Sequence, residues 1–127
     1  VADNQPDVEL RIPADGAFLS VLRTATAGLA ARLDFTLDDI EDLRIAVDEA
    51  CAVVLPQARP ESDLRCLFYL APLTLKVEVS AHCESPRPPH KDGFAWTVLS
   101  ALTSSLDSSV DGDILTVTLS RTSGETS

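Results

Sequence analysis

Two different periods of apolar and polar residues run along this chain, and the switches between them mark out its elements. From Val8 to Ile12 apolar and polar residues alternate, as in a half-buried strand, and Pro13-Ala14-Asp15-Gly16 breaks the pattern. Asp15 can cap a helix from about Ala17 to Leu33, rich in Ala and Leu and so a ready helix former. The stretch LDFTLDDIEDLRIAVDEA, Leu33 to Ala50, carries a better-marked helix. Thr36 offers a capping hydroxyl, and Asp39, three residues on, places a carboxylate near the positive N-terminal end. Leu37, Ile40, Leu43, Val47, Ala50, Cys51 and Val54 recur at helical spacing as one apolar stripe, which Pro56 ends.

The second half reads mostly as strands. Pro56 to Pro60 is rich in breakers, Asp63 to Leu70 reads as a strand, and Ala71-Pro72 turns the chain into Thr74 to Ser80. There Leu75, Val77 and Val79 alternate with Lys76 and Glu78. After a loop from His82 to Asp92, the spacing of Phe94, Val98, Leu102 and Leu106 predicts a helix over about 94–106. Asp111-Gly112-Asp113 turns into a last strand, Ile114 to Leu119, with Ile114, Thr116 and Thr118 on one face. Helices followed by hairpins predict an α+β two-layer sandwich, with helices on one face of a mainly antiparallel sheet. A single domain over 7–121 is expected, with flexible ends at 1–6 and 122–127.

Composition narrows the function classes. At 127 residues the chain can bury one core without staples. No apolar run approaches the roughly 18 residues of a membrane span, and no basic-plus-apolar signal opens the chain, so a cytoplasmic protein away from membranes is expected. Cys51, Cys66 and Cys83 make an odd count on a helix, a strand and a loop, which favours reduced thiols over a disulfide framework. A net charge of −10 argues against direct contact with nucleic acid and permits a basic protein partner.

Candidate chemistry centres on the second helix. At about 100° per residue, Glu49 lies well off the apolar stripe, flanked by Ala46 and Val53 on a mixed face. The run R-x-A-V-D-E-A at Arg44–Ala50, with the capped start before it and VLRTATAGLAARL in the first helix, resembles the RsbW/SpoIIAB-type anti-sigma factors. These are small serine kinases of the GHKL, or Bergerat-fold, superfamily. The resemblance extends over roughly Leu10 to Leu119 and is strongest from Pro13 to Leu55. It implies a GHKL-like fold, ATP and magnesium as cofactors, and Glu49 as catalytic base. It also implies a sigma factor and a STAS-domain anti-anti-sigma protein as partners, a homodimer, and Arg23 of the first helix as a partner-contacting arginine. Gly93, the glycine of Asp92-Gly93 before the third helix, stands where the family's glycine-rich turn cradles phosphates.

The chain departs from the family at the nucleotide. The magnesium-holding asparagine one turn after the glutamate is replaced by Val53. The strand end Ser80-Ala81-His82-Cys83-Glu84-Ser85 lacks the adenine-reading aspartate, and Pro86, Pro88 and Pro89 stiffen a short lid. Phosphoryl transfer rests on positioning and charge neutralisation, so impaired ATP binding is expected, with an active serine kinase using a diverged pocket as the alternative. Glu49 is then a retained carboxylate that pairs with Arg44 or Arg65 or faces water. The loop residues His82, Cys83, Glu84 and His90 match no standard metal spacing, and no metal site is expected. Cys83 is the thiol a loop would expose to oxidants, whereas Cys51 and Cys66 read as buried fillers. Trp96 sits one residue off the third helix's stripe, as a core flank or an interface anchor.

Overall fold

The computed structural model describes residues 5–124, and the outer parts of both expected flexible ends lie outside them. Strand β1 (Val8–Pro13) leads through a short 3-10 turn at Gly16–Phe18, capped by the Asp15 side chain, into helix α1 (Leu19–Arg32). Helix α2 (Leu37–Val54) follows and ends in a second 3-10 turn, Leu55–Gln57, that carries Pro56. Then come β2 (Asp63–Ala71), β3 (Thr74–His82), helix α3 (Phe94–Leu102), β4 (Ser105–Asp111) and β5 (Ile114–Thr122). The five strands form one wholly antiparallel sheet in the order β1-β2-β3-β5-β4. This is the expected α+β sandwich, with the helices over one face.

Alternation along each strand decides which face meets the helices. Leu64, Cys66 and Phe68 of β2, Leu75, Val77, Val79 and Ala81 of β3, and Leu115, Val117 and Leu119 of β5 are all buried. Register aligns them across the sheet, since Cys66 pairs with Val79 and Val79 with Val117. The opposite face carries Arg65, Lys76, Glu78, Thr116 and Thr118, which are exposed or half-buried. From α2 the stripe sends Leu43, Val47, Ala50, Cys51 and Val54 into the core, together with Ala46, while Leu37 at its start is left exposed. From α1 only Leu22, Thr26 and Ala30 are fully buried, and the Thr26 hydroxyl donates to the Leu22 carbonyl one turn back.

The helical spacing through Leu106 is corrected: α3 stops at Leu102, and Leu106 belongs to β4, where it pairs with Leu119 of β5. A periodic apolar position fits a strand's inner face as well as a helix stripe. Polar contacts decide between them. Thr103 is extended and its hydroxyl donates to the Leu99 carbonyl, Arg121 Nη1 donates to the Leu102 carbonyl over 2.6 Å, and the Ser104 amide donates to the Ser120 carbonyl. The helix's last carbonyls are thereby satisfied and the chain is turned onto the sheet edge.

Arg121 belongs to a larger cluster. Its Nη2 lies 2.6 Å from Asp39 Oδ1 and 3.0 Å from Asp42 Oδ2, both on the first turns of α2. Asp39 Oδ2 also accepts from the Ser123 hydroxyl at 2.7 Å, from the Gly124 amide at 3.0 Å and from the Thr36 hydroxyl at 2.9 Å. Thr36 caps the helix as the pattern predicts, its oxygen accepting from the Asp39 amide. These contacts tie Ser123 and Gly124 to the start of α2. With donors from Ser123 and Arg121 foremost, Asp39 is held well below the usual carboxylate range.

All three cysteines are free and fully buried. That corrects the exposed loop thiol at Cys83. Its amide donates to the Asp113 carbonyl, its backbone bridges Ala58, and Arg59 Nε donates to its carbonyl, so the residue is sewn between two loops with its sulfur inward. Burial raises all three thiols, Cys66 to about 12.

Two outcomes follow from these contacts. Ellman's reagent should find no rapidly reacting thiol in the native protein and three after denaturation, and one fast thiol would place Cys83 outside the core. Asp39→Asn should destabilise the fold by about 1.5–3 kcal/mol, the range for hydrogen bonds to a charged group. Because the folded Asp39 value lies below its unfolded value of about 3.9, its contribution is full above that pH and is lost as pH falls toward the folded value. Acid unfolding curves should therefore show a smaller loss between about pH 5 and pH 2 in the Asn variant than in the wild type.

Candidate functional site

Helix α2 presents two polar sides, and the functional candidates divide between them. On the outer side, Arg44 Nη1 lies 2.8 Å from Glu41 Oε1, one turn back. Asp48, one turn on from Arg44, receives Arg23 Nε from α1 at 2.7 Å. Arg23 is thus braced against α2 rather than standing free on the first helix, with about 39% of its side chain exposed. Between the helices lies an open groove of about 420 Å³ lined by Arg23, Thr24, Ala27, Gly28 and Arg44. Gly28 is part of its lining. A Cβ built there would meet no atom within 4 Å, so nothing inside this chain requires a glycine in mid-helix. Glycine in a helix interior costs roughly 0.5–1 kcal/mol relative to alanine.

The other side carries Glu49, Val53 and Gln57, spaced four residues apart along α2 and the turn that ends it. Glu49 is half-buried and, among the described residues, takes part in no hydrogen bond or ion pair. The expected arginine partners are spent elsewhere, Arg44 on Glu41 and Arg65 on Glu9 of β1. Val53 offers no side-chain oxygen or nitrogen to a metal, and its carbonyl accepts from Gln57 Nε2 at 3.2 Å. Gln57, which sequence reasoning passed over as part of a breaker-rich loop, also bonds both backbone groups of Arg87 in the segment between β3 and α3. Its only sequence signal was a long amide side chain just past the helix end.

Gly93 stands at the start of α3 as its cap residue, with an ordinary extended backbone and no side-chain cap. Its amide donates to the His90 carbonyl at 2.9 Å, and a Cβ there would come within 3.1 Å of that same oxygen. Close backbone approach in a tight turn is thus reason enough for a glycine. No hydrogen bond or ion pair joins Gly93 to Glu49 or to Arg23 among the described residues. Trp96 is half-buried with Lys91 Nζ 5.5 Å from its ring centroid, so it borders the loop, while neighbouring Phe94 is 81% exposed.

The loop side chains with metal-ligand chemistry are spread out. His82 Nδ1 is 3.1 Å from both oxygens of Asp113, which also meets Arg59 Nη2 at 3.3 Å. Asp113 is held below its ordinary value, chiefly by His82. Among the described residues, no group of three or more His, Cys, Asp or Glu side chains is placed to hold a metal ion. No helix among them is long and apolar enough to cross a membrane.

No family model matches this chain. Curated proteins do. The anti-sigma-F factor RsbW of Mycobacterium tuberculosis is 33% identical over 105 residues, 83% of this chain and 62% of that protein. The serine-protein kinase RsbW of Halalkalibacterium halodurans is 46% identical over 67 residues, 52% of this chain and 41% of the kinase. The serine-protein kinase RsbW of Bacillus thuringiensis is 35% identical over 75 residues, 58% and 47% of the two chains. The chain spans less than two thirds of the length of these curated relatives. These similarities bear out the resemblance to RsbW-type anti-sigma factors.

Proposed function

We propose that this protein is an anti-sigma factor that sequesters a sigma factor, is countered by an anti-anti-sigma protein, and binds ATP poorly. The observation that carries the first part is the similarity to an anti-sigma-F factor over 105 residues. The chemistry of α2 supports the second. A transferring phosphoryl group needs its charge neutralised, and Val53 stands where a magnesium ligand would be required. The partner surface in this reading is the α1–α2 groove. Arg23 enters it pre-positioned by Asp48, which lowers the entropy cost of holding a long side chain in one geometry. Gly28, exposed and without a packing role inside the chain, is suited to close approach by a partner's backbone. A homodimer belongs to this reading by family resemblance.

A second reading, an active serine kinase acting on the anti-anti-sigma partner, is favoured by Glu49. An unpaired, half-buried carboxylate is available as a general base. Magnesium–ATP titrated calorimetrically should give no binding tighter than about 100 μM, an affinity of roughly −5.5 kcal/mol. Low-micromolar, magnesium-dependent affinity would replace the first reading with the kinase, and Glu49→Ala should then abolish phosphate transfer while leaving affinity nearly unchanged.

Two variants test the groove. Arg23→Ala should weaken sigma binding by about 1–3 kcal/mol and change stability by less than about 1 kcal/mol, since the pair it leaves is largely exposed. Gly28→Ala should move the two readouts in opposite directions, raising stability by about 0.5–1 kcal/mol while weakening the complex. Unchanged binding in both variants would move the interface off this groove.

A further inference from the structure

Pro86, Pro88 and Pro89 carry no backbone N–H, so Arg87 supplies the only backbone donor from 86 to 89. That donor goes to a side chain. The Arg87 amide donates to Gln57 Oε1 over 2.7 Å, and Gln57 Nε2 donates to the Arg87 carbonyl over 3.0 Å. One primary amide thus reproduces the two-bond exchange that a neighbouring strand would make in an antiparallel pair. Gln57 Nε2 also donates to the Val53 carbonyl one turn back, which fixes the side chain on the end of its own helix. The far end of the loop is set independently by the Gly93–His90 turn. A segment with three prolines in four residues has few conformations to lose, so two neutral hydrogen bonds can hold it.

We propose that Gln57 is a clasp that orders the 84–93 loop in the absence of any ligand, closing it over the end of the Glu49–Val53–Gln57 side of α2. This clasp rests on the reading of weak nucleotide binding given above. The consequence is regulatory: the loop is in one state with or without ATP, and a partner meets a preformed surface.

Amide exchange measured by NMR on the wild type, Gln57→Ala and Gln57→Glu, each with and without magnesium–ATP, tests this. In the wild type the Arg87 amide should be protected by at least about tenfold without nucleotide, and nucleotide should add nothing. Gln57→Ala should return that amide to nearly its unprotected rate while Val77 and Val79 in the sheet stay protected, which shows that the fold is intact. Gln57→Glu keeps the acceptor and loses the donor, so it should retain part of the protection. A wild-type Arg87 amide that exchanges freely, or that becomes protected only on adding magnesium–ATP, overturns the clasp. Tight ATP binding alongside an already protected Arg87 would overturn the weak-nucleotide reading while supporting the clasp.

Discussion

The polar contacts that tie α2 and α3 to the end of β5 converge on the carboxylate of Asp39 and its partner Arg121. The carboxylate caps nothing by itself. It accepts instead from Arg121 and Ser123 at the end of β5, from the Gly124 amide, and from the Thr36 hydroxyl that does cap α2. The same guanidinium reaches Asp42 and the last carbonyl of α3. One ion pair, about one-eighth to one-fifth exposed at its two side chains, therefore fixes the start of α2, the end of α3 and the end of the interior strand β5. Desolvating two charges is costly unless their remaining donors and acceptors are filled, and here Asp39 and Arg121 each find several partners. Removing either one would cost the other its charged partner at this site. The cluster is accordingly a point of specificity as much as of stability, because it is compatible with only one end for α3 and one path into β4.

The two-layer architecture was legible because its core obeys simple periods. Leu75, Val77 and Val79 announce a strand, and Leu43, Val47, Ala50 and Cys51 announce a helix, with no help from distant residues. The third helix was misread for the converse reason. Leu106 continues the spacing of Phe94, Val98 and Leu102, and Arg121 and Ser120, which are remote in sequence, help end the helix before it. A pattern confined to a local window cannot register a carbonyl capped from another strand. Cys83 failed in the same way: a loop position that looked exposed is buried by its backbone bonds to Ala58 and Asp113.

The candidate site was legible in its residues and illegible in its pairings. Glu49 and Val53 sit on α2 where helical spacing puts them, since separations of one turn are set by the helix alone. The partners of Arg23, Arg44 and Arg65 turned on which acidic side chain lay within reach, and the chain has twenty from which to choose. Gln57 was invisible for a further reason. Its partner is the backbone of Arg87, thirty residues on, and a backbone group has no sequence signature.

In the proposed reading, the arrangement of α2 lets a partner surface and a nucleotide surface part company in one small domain. Asp48 and Glu49 are adjacent in sequence, yet a helix separates them by about 100°, so they serve different neighbours. Asp48 looks to Arg23 and the α1–α2 groove, whereas Glu49 belongs to the side that runs through Val53 to Gln57 and the proline-rich loop. The buried stripe of Leu43, Val47, Ala50, Cys51 and Val54 holds both sides in place from beneath. In the proposed reading, a valine in place of a metal ligand alters the Glu49 side, while the contacts of Arg23 lie on the other. The geometry of Arg23 is written in Asp48 and in the core stripe, and no hydrogen bond or ion pair joins Arg23 to Glu49 or Val53 among the described residues. The clasp completes the separation, since a loop ordered by Gln57 asks nothing of a ligand to keep its shape.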